Sequence, residues 1–160
     1  MIPRLLITAA LALGVLLATT AGASSQPMDP ASVVHAYIRA VNAHNVDAVL
    51  ALYADDAVHE VMPPPPGATG VYIGKAQIRQ FYQQTVVNHD HLTVVGTLHV
   101  VGNKVIYTKR IASDSFRRFG LATVDAFIVA IVQGGIFTSY TAAFTPLRSP
   151  SSRPLSPLRA

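Results

Sequence analysis

The chain of 160 residues contains no cysteine. Disulfides, thiolate metal sites and lipid attachment through a cysteine are therefore excluded, and an oxidising compartment is permitted without being required. A glycine-rich phosphate loop, a nucleophile elbow and a zinc motif are also missing; Gly67, Gly70 and Gly74 are spaced too loosely to cradle a phosphate. His89-Asp90-His91, with His99 further on, matches no metal-ligand spacing and reads as a surface loop, so neither a metal nor another cofactor is expected. Charge of one sign is scarce once its location is considered. The chain carries 12 Lys and Arg against 8 Asp and Glu, a formal +4. Arg4 lies near the start, and Arg148, Arg153 and Arg159 lie in the last stretch; without them 8 basic residues face 8 acidic ones. The body is neutral and lacks the clustered cations of a nucleic-acid footprint. The doublets Lys109-Arg110 and Arg117-Arg118 read as solvated faces or loop residues.

At the start stand Met1-Ile2-Pro3-Arg4, an apolar run over 5–18 and then Ala21-Gly22-Ala23. This is the order of a secretory signal, predicted over 1–23, and it implies a secreted or periplasmic protein. The run is shorter than the roughly 20 residues of a bilayer span, so no stable membrane anchor is expected after cleavage. The Pro, Ser and Arg of 147–160 predict a disordered tail. Between them, 29–146 is the right size for one domain with its own core.

Asp29-Pro30 opens that domain as a helix start, because Asp caps well and Pro tolerates the first helical position. Val34, Tyr37, Ile38 and Val41 make one apolar stripe at helical spacing. Asn45 can cap a second, short helix with the stripe Val46, Val49, Leu50 and Tyr53, and a short strand is expected over 57–61. The four prolines within 62–70 forbid helix and deny a ladder its donors, which predicts a stiff surface loop. A third helix starts at Gly74, with Ile78, Phe81, Tyr82 and Thr85 on one face, and stops near Asn88. From Leu92 the period shortens to two, predicting strands over 92–101, 104–111, 121–132 and 136–144. Gly102-Asn103 joins the first pair, Gln133-Gly134-Gly135 joins the last, and a loop holding Ser113 to Arg118 lies between. The sum is an α+β domain with three N-terminal helices packed on a curved, mostly antiparallel sheet. Both faces of 121–132 are apolar: Asp125, Phe127, Val129 and Ile131 alternate with Val124, Ala126, Ile128 and Ala130. A wet outer face should be polar, so a homodimer through that face is expected.

Five segments in order then carry a resemblance. They are Val33-Val34-His35-Ala36-Tyr37, Val41-Asn42-Ala43-His44-Asn45-Val46-Asp47, Ala51-Leu52-Tyr53-Ala54-Asp55-Asp56-Ala57, Gly74-Lys75-Ala76-Gln77-Ile78-Arg79-Gln80-Phe81-Tyr82, and Val124-Asp125-Ala126-Phe127 with the Gly-Gly turn into Ile136. Together they resemble the SnoaL-like and ketosteroid-isomerase branch of the nuclear transport factor 2 superfamily, over roughly 31–144. The resemblance implies a cone-shaped fold around an apolar pocket. One such scaffold hosts isomerases, cyclases, dehydratases, epoxide hydrolases and plain binding proteins.

In the isomerases of that family a tyrosine of the first helix and a protonated sheet aspartic acid form an oxyanion hole, and an aspartate of the first strand shuttles the proton. The resemblance places Tyr37 and Asp125 in the first two roles. The third falls on Val61, which cannot take a proton. His59, two residues earlier on the same strand face, is the candidate base, whereas Glu60 points to the other face. Phe81, Tyr82, Phe127 and Tyr140 are candidate pocket walls. At the level of single residues two readings stand: Tyr37 as a satisfied core tyrosine or an oxyanion donor, and Asp125 as a pocket acid or a structural ion pair. Two functions stand beside them. One is a small apolar ligand bound in the cone, with cofactor-free isomerase or lyase chemistry; the other is a non-catalytic binding or dimerisation module that lacks the general base.

Overall fold

The computed structural model describes residues 27–145; the expected signal over 1–23 and tail over 147–160 lie outside the described residues. The element order is α1 (Pro30–Asn42), α2 (Val46–Leu50), β1 (Tyr53–Met62), β2 (Val71–Ile73), α3 (Gly74–Val87), β3 (His91–Val101), β4 (Lys104–Ala112), α4 (Asp114–Arg117), β5 (Val124–Gln133) and β6 (Ile136–Phe144). The six strands form one sheet in the order β2-β1-β6-β5-β4-β3. Only β1 and β6 pair in parallel; every other pair is antiparallel. The helices pack on one face of this sheet, α1 chiefly against β3 and α3 against β1.

Local chemistry sets the helix positions. Asp29 accepts from Ser32 N–H at 3.0 Å with Pro30 behind it, and Asn45 accepts from Ala48 N–H at 2.9 Å. Both caps satisfy amides that the first turn leaves without partners. The α1 stripe buries Val33, Val34, Tyr37 and Val41, and each such side chain contributes roughly 1.5–3 kcal/mol by leaving water. At its C-terminal end Asn42 acts as a surrogate strand residue: its amide donates to Leu92 O at 2.9 Å and its carbonyl accepts from Leu92 N–H at 2.7 Å. That double bond ties the end of α1 to the start of β3. At the N-terminus of α3, Gln77 reaches back to accept from Ile73 N–H at 3.0 Å.

Four elements differ from the expectations. Tyr53 belongs to β1 and not to the second helix, because Phe137 N–H donates to Leu52 O at 2.7 Å and draws the chain into register with β6. The first strand is accordingly longer than 57–61, with an irregularity between Tyr53 and Val58. Within the expected loop region, Ser113 caps the single-turn α4, a fourth helix too short to alter the architecture. Val71–Ile73 forms the edge strand β2, too short for its period to show in the sequence. In β5 the buried residues are Val124, Ala126, Ile128, Ala130 and Val132, which fixes the other set as the outer face. No helix among the described residues is long and apolar enough to cross a membrane.

Candidate functional site

The concave side of the sheet and the helices enclose a cavity of about 1140 Å³. Strand alternation aims His59 and Val61 of β1, Lys109 and Ile111 of β4 and Ala142 of β6 at it, and Tyr37, Phe81 and Tyr82 close it from the helices. Ala142, small where larger residues would fit, helps leave the space open. The mouth carries exposed Pro63, Pro64 and Pro66 on one side and Phe119, 79% exposed, on another. Most of the lining is apolar, as in sites that hold drug-sized molecules.

Its polar wall is a chain of hydroxyls whose protons can be counted. Lys109 Nζ donates to Tyr37 OH at 3.3 Å, and Tyr82 OH donates to the same oxygen at 3.2 Å. Tyr82 has then spent its one proton, so across the 2.9 Å contact Tyr53 OH is the donor to Tyr82 OH. Tyr53 in turn has none left for His59 Nδ1 at 3.0 Å, which must be the protonated nitrogen and the donor. The order leaves two free ends. The Tyr37 hydroxyl proton is unspent, and His59 Nε2 carries a lone pair with no partner.

Electrostatics agree with a neutral histidine. Burial first, and then the positive charge of Lys109, hold His59 well below the ordinary imidazole range. Its ring is stacked on Tyr140, with centroids 4.8 Å apart and planes within 9°. Burial likewise pushes the Tyr53, Tyr82 and Tyr140 hydroxyls up, keeping them protonated at neutral pH.

Lys109 is 5% exposed and, among the described residues, no carboxylate is paired with it. Its ammonium lies 5.7 Å and 5.2 Å from the ring centroids of Tyr37 and Tyr140. Such contacts offset on the order of 0.5–2 kcal/mol, less than the several kcal/mol that burying an ion costs. Asp90 lines the same cavity with Oδ1 buried and unbonded. Burial raises its carboxyl above the usual carboxylate range, against the pull of Ser113 and Lys109.

The structure thus brings Tyr37, His59, Phe81 and Tyr82 to one cavity. Tyr140 is fully buried beneath His59 and forms the layer behind the wall. Asp125 and Phe127 are corrections: both project from the outer face of β5, away from the cavity. Asp125 receives two hydrogen bonds from Arg110, its cross-strand neighbour, at 2.7 Å and 2.8 Å. That guanidinium holds its carboxyl below the usual range, so it is an ionised surface acid and not the protonated donor of an oxyanion hole. Phe127 is 49% exposed. Glu60 also points outward, within 3.4 Å of Thr141 Oγ1.

Two ionisable residues of the cavity, Lys109 and Asp90, are not among the sequence candidates. Lys109 was read as part of a solvated doublet, although a doublet on a strand must send one member to each face. The parity it shares with Val105, Tyr107 and Ile111, all buried, was the available signal. Asp90 was read as surface loop, and the helix–strand junction that folds it inward leaves no periodic trace.

The sequence profile of the SnoaL-like domain matches residues 34–137. No curated protein matches the chain. Solved structures share the fold at low identity. An NTF2-like protein of unknown function from Cytophaga hutchinsonii is 17% identical with a TM-score of 0.59, covering 77% of this chain and 95% of its own. A candidate ketosteroid isomerase from Kribbella flavida is 17% identical with a TM-score of 0.61, covering 82% and 90%. The epoxide hydrolase/cyclase-like enzyme SalBIII, linked to pyran ring formation in the polyether salinomycin, is 20% identical with a TM-score of 0.60, covering 73% and 91%. With the profile spanning most of the described residues and the α+β cone of those structures reproduced here, the chain belongs to the SnoaL-like domain family.

Proposed function

We propose that this SnoaL-like domain binds a small, mostly apolar molecule with its one oxygen-bearing end against the wall of Tyr37, Lys109 and His59. The observation that carries the reading is the cavity of about 1140 Å³, mostly apolar, with its cation and its hydroxyl chain bonded together in one wall. A carbonyl oxygen there would meet the unspent Tyr37 proton and the Lys109 ammonium. Ketosteroid-isomerase chemistry needs a base as well. Val61 occupies the expected place and Asp125 is outside, so the binding reading takes precedence over catalysis.

One observation favours a catalytic second reading, in which proton transfer makes the protein a cofactor-free isomerase or lyase: His59 Nε2 is unprotonated and unbonded beside the cavity. Against it, His59 has no exposed surface, so the ring would have to shift to reach a substrate.

The test uses a β,γ-unsaturated ketosteroid with the parent protein, Val61→Asp and His59→Gln. Steroid binding by the parent without turnover, and turnover gained in Val61→Asp, is the expected result. Turnover by the parent that disappears in His59→Gln would establish the catalytic reading instead. Failure of the parent to bind the steroid or the pyrene probes described below would end both. We also propose that the protein is exported, on the strength of the signal-like residues 1–23, and that it dimerises through the outer sheet face. N-terminal sequencing of the protein recovered outside the cytoplasm checks the first: a start beyond Ala23 is expected, and an intact Met1 would refute it.

A further inference from the structure

Among the described residues, one buried cation lines the cavity without a carboxylate partner. Lys109 Nζ has three protons, and the one bond made by its ammonium is to Tyr37 OH at 3.3 Å. Among the described residues lining the cavity, Lys109 is the only Lys or Arg and Asp90 the only acid. Asp90 does not pair with it. Among the described surface cations, Lys75, Arg79, Arg110 and Arg117 each pair with a carboxylate at 2.8 Å or less, and Arg39, Lys104 and Arg118, which pair with none, are exposed to water. Lys109 alone among the described Lys and Arg residues is both buried and without a carboxylate in contact; Asp90 feels its charge only at longer range, and the open side of Lys109 is the cavity.

We propose that the ligand supplies that counter-charge: the cavity selects an apolar molecule bearing a single carboxylate, and Lys109 Nζ is its anchor. This inference rests on the ligand-binding reading above and narrows it to a substrate class. A carboxylate fits better than a phosphate monoester, because one ammonium and one hydroxyl are too few donors for a tetrahedral dianion. The Tyr37 hydroxyl, accepting from Lys109 and Tyr82, is left with its own proton to donate to the second carboxylate oxygen. The apolar lining then covers the rest of the molecule, and the low dielectric it provides strengthens the ion pair.

The test compares 1-pyrenebutyrate with 1-pyrenebutyramide, which have the same apolar body and differ in charge, by fluorescence anisotropy at neutral pH. The parent is expected to bind the acid at least about tenfold more tightly than the amide, as a charge-assisted hydrogen bond in a closed site implies. Lys109→Met should weaken the acid far more than the amide and so remove that preference, and the amide binding that remains reports that the variant's cavity is intact. Equal affinities in the parent would overturn the anchor and leave the cavity as a ligand site. Absence of binding by both probes would overturn the anchor and the ligand site together. A preference that survives in Lys109→Met would place the anion elsewhere and refute the assignment. The acid-to-amide ratio of the parent decides the question even if the variant does not fold.

Discussion

At the scale of single residues, His59 makes stability depend on pH in a way that can be signed. Its imidazole is held neutral in the folded protein, below the ordinary value near 6.5 that it regains on unfolding. The unfolded chain therefore takes up a proton that the folded one refuses. The stabilisation is complete above that ordinary value and is lost as pH falls through it towards the depressed folded value. Melting temperature should fall between pH 7 and pH 5, and His59→Gln should flatten the slope; an unchanged slope in the variant would assign it to other groups. The same residue shows what a sequence can and cannot reveal. Strand parity sufficed to put His59 and Val61 on one face and Glu60 on the other. It could not show which face of β5 is inner, since both are apolar, and so could not decide between Asp125 as a pocket acid and as a structural ion pair. The pairing of Arg110 with Asp125 is a matter of register between β4 and β5, and register is written in neither strand alone.

Among elements, the helices and the two hairpins were legible because caps, apolar stripes and glycine turns are local signals. The start of β1 was not, because Tyr53 is held by pairing with a strand more than 80 residues later. The proline-rich segment between β1 and β2 has its own tertiary constraint at Gly70. Its φ is +77°, and a Cβ there would lie 2.6 Å from Val61 O and 2.9 Å from Pro64 Cβ. Gly67, in the same segment, has φ of +78° with nothing within 4 Å. Gly67→Ala should cost only the left-handed backbone penalty, roughly 1–2 kcal/mol, whereas Gly70→Ala should cost measurably more because backbone must move. Urea unfolding of the two variants makes the comparison, and equal losses would mean that the close approach to Val61 is readily relaxed. Val61 O belongs to a residue on the cavity wall, so the Gly70 variant is also expected to weaken pyrenebutyrate binding.

For the whole molecule, the sheet has two sides with different work. The inner one bounds the cavity. The outer one exposes Phe127 beside the Arg110–Asp125 pair, which is the surface we propose to meet a second copy. Phe127→Glu should convert a dimer to a monomer in sedimentation equilibrium at micromolar concentration, with ligand binding in the cavity unchanged. A parent protein that already sediments as a monomer would dismiss the dimer. The expectation of one domain with a cone-shaped fold came from the order of whole segments, which tolerates errors in any one of them. The polar contents of the cone depend on single side chains, and there the reading fell short by Lys109 and Asp90.

Exposed residues of two kinds border the cavity. Pro63, Pro64 and Pro66 form a rim whose backbone angles are already confined by their rings, so that side has little freedom left to surrender at encounter. Phe119, which also borders the cavity, is 79% exposed and has no ring confining its backbone. A molecule that enters past the prolines therefore meets a border whose ordering costs it little.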